Sequence, residues 1–390
     1  MEFSKGVTMH FSLSKEQKQI KRSAREFAEG AIKPIAREYD QKEEFPMDLW
    51  KKACELGFVG AFIDSDYEGM GLGYFETCLI MEEFWRIDPG CGCVLLSAFG
   101  AELIQNFGTE DQKRKFLPKI PTGKAIMGVA VTEPNAGSDI FNVATNAVRD
   151  GEEYIIDGTK TFITNGSIAN YLAVFCVSNP NATSRYQRYS IFLVETDRLG
   201  FHANKIKGKL GIRASDTAEI VFKQVRIPRQ NLLGGREGNG FSQIMDLFNI
   251  NRVIAASQGV GVAQGALEQA LMHVKGRETF GQPIGRFQAI QFKLAEMATQ
   301  IEAARLLTYQ AAWLIDQGDK DPRLIAMAKW LAGETGVRVT NDALQMHGGY
   351  GYINEYDIER FYRDAKIVEI YEGTKEMEKL TVARQLLGKS

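Results

Sequence analysis

The spacing of hydrophobic residues changes twice along the chain, and this change constrains the fold more than any other feature. From residue 12 to about residue 120 the apolar residues recur at helical spacing. From Ala125 the chain consists of short segments rich in β-branched and aromatic residues, and from Gly240 the helical spacing returns. Because helices and strands occupy separate regions, the pattern argues against an alternating βαβ fold. The sequence therefore predicts an α+β protein.

The same changes of period predict three domains. These are a helical N-terminal domain (residues 1–124), a central antiparallel β-domain (125–238) and a C-terminal helical bundle (239–390). A chain of 390 residues is long enough for two to three domains.

In the N-terminal region the pattern predicts several helices joined by turns that contain glycine and proline. Ser14 and Gln17 have the spacing of a capping box, so the first helix is predicted to begin there. Pro34 is predicted to kink or end that helix. Three further helices are predicted over Met47–Leu56, Tyr74–Trp85 and Gly92–Phe107.

The central region predicts five strands, over residues 125–134, 152–165, 171–178, 189–195 and 218–228. Asp150-Gly151 and Asp157-Gly158 are typical of tight turns, so both are predicted to connect strands.

The C-terminal region predicts a helical bundle. Apolar residues from Ile290 to Ala311 alternate at spacings of four and three, which is typical of a helix packed along another helix and compatible with a subunit interface. The glycines of Gly259–Gly265 resemble a dinucleotide-binding loop only loosely. They lie inside a helical pattern, so we predict that they allow close helix packing.

Composition and charge exclude several classes of function. The 47 basic and 49 acidic residues leave a net charge of −2, which argues against nucleic-acid binding. The apolar runs are far shorter than a membrane span, and the first eleven residues lack the apolar core of a secretory signal. The five cysteines are scattered and the four histidines lie far apart. We therefore predict a cytoplasmic, reducing location and no metal site.

Glu372, close to the C-terminus, is the main candidate for chemistry. It follows Ile370 and Tyr371 and precedes Gly373 and Thr374, after which a helical spacing resumes. Most glutamates are exposed, so composition alone favours a solvated glutamate in a turn. Burial beside apolar groups would instead raise the pKa of the carboxyl group and suit it to act as a base.

Five segments of this chain resemble motifs of the acyl-CoA dehydrogenases. IYEGT resembles their catalytic loop, and the other four segments are spread along the chain. The resemblance covers nearly the whole chain. The motifs are VTEPNAGSD (131–139), KTFITNG (160–166), GRETFGQPIGRFQAIQ (276–291), QMHGGYGY (345–352) and IYEGT (370–374).

The resemblance implies an FAD-dependent enzyme that oxidises an acyl-CoA thioester to the 2-enoyl-CoA. Glu372 would abstract the α-proton, and FAD would accept the β-hydride. The thioester oxygen would lie between the backbone N–H of Glu372 and a ribityl hydroxyl of the flavin. Some branches place the base immediately before Arg252, but that position here is Asn251, which cannot abstract a proton. The physiological electron acceptor would be an electron-transfer flavoprotein.

The resemblance also implies binding residues. The arginine fork of Arg277 would suit the pyrophosphate of a flavin bound mainly to a neighbouring subunit, so a homo-oligomer, most simply a homotetramer, is implied. The implied flavin-binding residues are Ala130, Val131, Thr132, Phe162, Thr164, Arg277, Phe280, Gln288, Gln345, Gly349 and Thr374. The implied substrate-binding residues are Ser138, Phe248, Arg252, Tyr371 and Gly373.

Several questions stay open at this stage. An acyl-CoA oxidase and a non-catalytic binding protein on the same scaffold are the alternatives. Asn135 and Asn249 depart from the family pattern. The geometry of the turn at Asn135 and the contacts with CoA at Asn249 are therefore undetermined from the sequence. Asp88–Cys93 is predicted to line the acyl pocket, although a helix start capped by Asp88 explains the same residues. The acyl group is undetermined among short, medium, branched and alicyclic chains.

Overall fold

The computed structural model describes residues 12–388. The predicted absence of a secretory signal concerns residues 1–11 and so lies outside the described residues. Helices occupy the first and last thirds of the described chain and strands occupy the middle, which confirms the predicted α+β class. No helix within residues 12–388 is long and apolar enough to span a membrane.

The N-terminal region is helical. The predicted capping box is present, with the hydroxyl of Ser14 accepting the N–H of Gln17 at 3.1 Å. A π-helical turn, Ala28–Ile32, follows the first helix. The helical segment ends before Pro34, as predicted, and the next helix begins at Ala36. The helices are α1 (Lys15–Phe27), α2 (Ala36–Lys42), α3 (Met47–Glu55), α4 (Tyr74–Ile87), α5 (Pro89–Gly92), α6 (Ala101–Phe107) and α7 (Glu110–Phe116).

The predicted single helix over Gly92–Phe107 is wrong. The chain forms a 3₁₀ turn over Cys93–Ser97, and α6 begins only at Ala101. Gly100 lies between them with a φ of 101°, a left-handed conformation that interrupts a right-handed helix. The sequence pattern also missed α7, because its polar sequence EDQKRKF carries little hydrophobic periodicity.

The middle of the chain forms one seven-stranded sheet in the order β1-β4-β2-β3-β7-β6, with β5 paired to β4. The five predicted strands are present. Most pairings are antiparallel as predicted, but β4 also pairs in parallel with β1 and, at one position, with β2. The strands are β1 (Met127–Ala130), β2 (Asn146–Asp150), β3 (Glu153–Thr164), β4 (Tyr171–Val177), β5 (Tyr189–Glu195), β6 (Phe201–Lys205) and β7 (Thr217–Pro228).

Only one of the two predicted turns is a turn. Asp150-Gly151 connects β2 to β3, whereas Asp157-Gly158 lies inside β3 at an irregularity in its pairing with β7. A Cβ atom at position 158 would lie 2.4 Å from the Thr145 hydroxyl oxygen. Glycine is therefore required at position 158 because the segment around Thr145 approaches the strand closely, and not because the chain reverses its direction there. The strands β2 and β6, with polar residues at several positions, were not predicted.

The C-terminal region returns to helices. The predicted seam is buried at Met297, Ile301, Ala304 and Thr308. Its role in a subunit interface stays a prediction. The elements are α8 (Gly240–Gly276), a hairpin of β8 (Glu278–Thr279) and β9 (Gln282–Pro283), α9 (Gln288–Asp316), α10 (Pro322–His347), α11 (Ile358–Ala365) and α12 (Lys375–Leu387).

The glycines of Gly259–Gly265 pack α8 against two other helices, as predicted. A Cβ atom on Gly259 would lie 2.6 Å from the carbonyl oxygen of Ala332 in α10. A Cβ atom on Gly265 would lie 2.0 Å from the carbonyl oxygen of Arg86 in α4. This packing fixes α8, which carries Asn251 and Arg252, against the elements that hold the C-terminal loop.

Candidate active site

The loop before α12 presents Glu372 in a strained conformation. Glu372 has a φ of 53° and Gly373 a φ of 96°, so two successive residues adopt left-handed backbone conformations. A non-glycine residue seldom does so, and such strain is typical of functional sites. Thr374 then caps α12, its hydroxyl accepting the N–H of Met377 at 3.4 Å.

The carboxylate of Glu372 is buried although the residue as a whole is only half-buried. Its Oε2 atom is shielded from solvent and has no hydrogen-bond partner among the described residues. This burial raises the pKa of Glu372 to about 7, against the charges of Lys329 and Arg252, which lower it. Glu378 raises it further. The carboxyl group can therefore change its protonation state near neutral pH.

A buried group of charges lies beneath this loop. Lys329 on α10 is fully buried and donates a hydrogen bond to the carbonyl oxygen of Gly373. Arg252 on α8 contacts the Glu378 carboxylate at 2.9 Å and the carbonyl oxygen of Glu372 at 3.3 Å. Burial lowers the pKa of Lys329 to about 8. These contacts fix the loop from below and set the charge around Glu372.

The other predicted substrate residues lie on the elements around this loop. Tyr371 donates a hydrogen bond to the side chain of Gln258 on α8. Phe248 is half-buried on α8, and Gly373 has no space for a side chain because a Cβ atom would lie 2.3 Å from a Glu378 oxygen. Ser138 is exposed in the loop after β1. Contacts of these residues with a thioester stay predictions.

A small cavity lies between α4, α6 and α8. The volume open to the centre of a water molecule is about 30 Å³. Asn251 lines it, next to the Arg252 that contacts the Glu372 loop. Leu95, Phe99 and Glu102 also line it, whereas Asp88–Cys93 does not. Asp88 caps α5 by accepting the N–H of Cys91 at 2.8 Å, and the role of this segment in an acyl pocket stays a prediction.

Two of the predicted flavin motifs meet on the β-domain. The N–H of Thr161 donates to the carbonyl oxygen of Thr132 at 2.9 Å. The fully buried ammonium group of Lys160 donates to the carbonyl oxygen of Val131 and to Glu133, both at 2.8 Å. The segment after β1, which continues from the buried Ala130, is therefore held against the end of β3, where Thr164 lies.

Phe162 fits a site for a planar ligand. It has a φ of 58°, lies at a pairing irregularity of β3, and leaves 67% of its surface exposed. An exposed aromatic ring on a strained strand is not stabilised by packing in the core. Its conformation is therefore consistent with a ring system stacked beside it. Asn135 does not disturb this loop, because it lies in a two-residue turn and has no left-handed φ.

The remaining flavin-motif residues form a second cluster on the C-terminal bundle. The guanidinium group of Arg277 lies 5.5 Å from the centre of the Tyr350 ring, and His273 stacks on His347 with ring centres 4.2 Å apart. Phe280, with a φ of 49°, is 92% exposed, and Gln288, Gln345 and Gly349 are exposed too. Within residues 12–388, no hydrogen bond or ion pair joins this cluster to Thr132 or Thr164.

Family models match almost all of the described chain, in order. They are the N-terminal, middle and C-terminal domains of acyl-CoA dehydrogenases, matched by residues 14–124, 128–225 and 238–387. The chain belongs to the acyl-CoA dehydrogenase family. Members of this family are flavoprotein oxidoreductases, so the chain is an oxidoreductase enzyme.

Similar proteins cover this chain nearly end to end. Acryloyl-CoA reductase (NADH) of Anaerotignum propionicum is 40% identical, over 97% of this chain and 96% of its own length. The butyryl-CoA dehydrogenase structure from Megasphaera elsdenii has a TM-score of 0.93 at 37% identity and covers 97% of this chain and 100% of its own. A chain in a structure of the electron transferring flavoprotein of Acidaminococcus fermentans has a TM-score of 0.94 at 41% identity, with the same coverage.

Three charged residues of this acyl-CoA dehydrogenase site escaped the sequence analysis. Lys329 interrupts an apolar stretch of α10, Glu378 is one of several acids in α12, and Glu102 lies in the first turn of α6. A single lysine inside an apolar helical stretch is a weak signal that could have found Lys329. The two glutamates carried no such signal, because their burial depends on distant helices.

Proposed function

We propose that this enzyme catalyses the α,β-dehydrogenation of an acyl-CoA thioester to the 2-enoyl-CoA, with Glu372 as the base. The observation that carries the proposal is the buried, unpartnered carboxylate of Glu372, with a pKa of about 7. A base whose pKa is close to the working pH is both deprotonated and basic enough to remove a weakly acidic proton.

The loop also supplies a donor for the charge that develops on the thioester oxygen. The backbone N–H of Glu372 has no acceptor among the residues that the structure describes. A free N–H at this position suits hydrogen bonding to the enolate oxygen as the α-proton leaves. Arg252 and Lys329 hold the two carbonyl groups of this turn, so the N–H and the carboxylate keep a fixed relation.

FAD is the cofactor that we infer for this site, and when bound it would accept the β-hydride. Val131, Thr132 and Thr164 would face its ring beside Phe162. Arg277, Phe280, Gln288, Gln345 and Gly349 would contact the nucleotide of a flavin held by another subunit, and Thr374 would lie near the ring.

No hydrogen bond or ion pair joins the two clusters within the described residues of one chain, which supports a homo-oligomer, and we propose a homotetramer. We infer a cytoplasmic location because all five cysteines are buried free thiols, which suits a reducing compartment.

The electron acceptor that we propose is an electron-transfer flavoprotein. The similarity to a chain in the electron transferring flavoprotein structure from Acidaminococcus fermentans supports this partner. Rapid reduction of such a flavoprotein by enzyme and acyl-CoA, with little hydrogen peroxide formed in air, is the expected result. Stoichiometric peroxide and no flavoprotein reduction would instead identify an acyl-CoA oxidase. Protein that takes up no FAD would identify a non-catalytic binding protein.

Replacement of Glu372 by glutamine tests the assignment of the base. Glutamine keeps the shape of the side chain but cannot accept the proton, so we expect the turnover rate to fall by about 10²- to 10⁴-fold or more. The flavin content should stay unchanged. The flavin absorbance before substrate is added measures the flavin content. The rate at which a panel of short, medium, branched and cyclic acyl-CoAs bleaches the flavin anaerobically then measures the loss of activity.

Glu376→Gln is the matched control for this experiment. Glu376 lies four residues further on and is exposed in the first turn of α12. Its replacement should leave the bleaching rate within about twofold of the wild type, since surface substitutions have small effects. Near-normal turnover in Glu372→Gln would refute the assignment of Glu372.

A further inference from the structure

Glu102 is a buried carboxyl group that lines the small cavity between α4, α6 and α8. It lies in the first turn of α6 and is 2% exposed. One of its oxygens, Oε2, accepts the backbone N–H of Gly100 at 2.9 Å. Most of the residues that line the same cavity are apolar, among them Leu95, Phe99 and Ile254. An acidic side chain in such surroundings needs an explanation.

Glu102 has no cationic partner. Among residues 12–388 no lysine, arginine or histidine forms an ion pair with it, and none lines the cavity. Burial raises its pKa to about 7; hydrogen bonds from backbone N–H groups oppose this rise, and the negative charge of Glu372 contributes a smaller part of it. The charge of Glu372 thus favours the protonated form of Glu102, which can donate a hydrogen bond.

One residue of the cavity lining is the sequence neighbour of an arginine that contacts the Glu372 loop. Asn251 lines the cavity, and the next residue, Arg252, contacts the carbonyl oxygen of Glu372. An open volume of about 30 Å³ corresponds to roughly two water molecules. The cavity therefore has room for only the far end of a short acyl chain.

We propose that Glu102 determines the acyl specificity of this enzyme by donating a hydrogen bond to a polar oxygen at the far end of a short acyl chain. This inference rests on the proposed function. The substrate class is a CoA thioester of a short acid that carries a terminal hydroxyl or carbonyl oxygen. An ionised terminal carboxylate is disfavoured, because the lining offers no cation to balance it.

The pair 4-hydroxybutyryl-CoA and pentanoyl-CoA tests the proposal, since the two acyl chains have nearly the same length and differ in their terminal group. In the holoenzyme we expect kcat/KM to favour the hydroxyl compound by about 10-fold or more, as for a buried donor left unpaired by the apolar analogue. The dissociation constants of both thioesters, measured by calorimetry in the Glu372→Gln background, should show the same preference without turnover.

Two variants of Glu102 separate specificity from structure. Glutamine can still accept the Gly100 N–H and still offers a donor, so Glu102→Gln should keep the preference for the hydroxyl compound. Methionine has neither group, so Glu102→Met should reduce the ratio of the two kcat/KM values to about 1 or below. A purely structural role would lower both values equally in Glu102→Met and leave the ratio unchanged.

The outcomes distinguish this inference from the proposed function. If both thioesters bind and bleach the flavin with equal efficiency in the wild type, the role of Glu102 is refuted and the dehydrogenation stands. An unchanged ratio in Glu102→Met has the same consequence. If no acyl-CoA of the wider panel binds or bleaches the flavin, both proposals are refuted.

Discussion

At the scale of single residues, the pKa of Glu372 results from opposing effects. Burial raises it most, Lys329 and Arg252 lower it, and Glu378 raises it. Lys329 and Glu378 are themselves fully buried, so little solvent screens their charges. The pH at which Glu372, the proposed base, becomes protonated is therefore set by side chains that need not touch the substrate.

Opposite shifts of the pH profile are expected from Lys329→Met and Glu378→Gln. Loss of the Lys329 charge removes an effect that lowers the pKa of Glu372, so the acidic limb of kcat/KM should move to higher pH. Loss of the Glu378 charge should move it to lower pH. A nearby buried charge shifts a pKa by about one unit or more, which kcat/KM measured between about pH 5 and 9 would resolve.

The opposite signs provide the control for this experiment. Damage to the loop alone, through the lost hydrogen bond from Lys329 to Gly373, would lower activity without moving the limb. If the limb moves in the same direction in both variants, or moves in neither, the electrostatic account of Glu372 is wrong.

At the scale of elements, the site depends on how closely α8 approaches its neighbours. Gly259 and Gly265 bring α8 to the backbones of α10 and α4 without any intervening side chain. The helices that carry Arg252 and Lys329 are thereby held together beneath the Glu372 loop. A methyl group in this contact would push the helices apart.

Replacing Gly265 by alanine is expected to destabilise the protein. The added Cβ atom would lie 2.0 Å from the Arg86 carbonyl oxygen, so the backbone must move. Overpacking of this kind costs about 1–3 kcal/mol or more, measured as a lower midpoint of urea unfolding. Gly276→Ala is the control, because no atom lies within 4 Å of the point where its methyl group would stand. This variant should leave the free energy of unfolding unchanged or raise it by about 0.5–1 kcal/mol. Equal stability of the two variants would contradict this account.

At the scale of the whole molecule, our proposal is that two copies of the chain complete each flavin site. Thr132, Phe162 and Thr164 lie on the β-domain, whereas Arg277 and Gln345 lie on the C-terminal bundle. The proposed sharing of each flavin between subunits has a consequence that can be measured in mixed oligomers.

Arg277→Ala and Glu372→Gln chains should each be nearly inactive alone and should complement each other when co-expressed. In a mixed pair, one site combines an intact Glu372 with an intact Arg277 from the partner chain. Random pairing in a two-fold interface then restores roughly a quarter of the wild-type activity to the whole mixture, and isolated mixed pairs should have about half of it. Oligomers isolated with two different affinity tags would provide the material for this measurement.

The double variant Arg277→Ala/Glu372→Gln, paired with wild-type chains, is the control. Each mixed pair then lacks one of the two groups at both sites, so isolated mixed pairs should be inactive. Half-active mixed pairs would instead mean that Arg277 acts within its own chain.

The domain limits 1–124, 125–238 and 239–390 also belong to this scale and stay predictions. The turns near residues 124 and 238 are the expected sites of limited proteolysis, with fragment masses read by mass spectrometry.

Local sequence patterns were enough to predict the order of helical and β regions, most of the strands and the position of the Glu372 loop. These features depend on periodicity and on glycine or proline at particular positions, which a linear pattern records. The same patterns could not separate the Gly100 break from a continuous helix, nor the Gly158 bulge from a turn, because neighbouring chain segments determine both. The positions of Glu102, Lys329 and Glu378 around the base follow from the folded chain alone, since desolvation and charge coupling arise from contacts between distant helices.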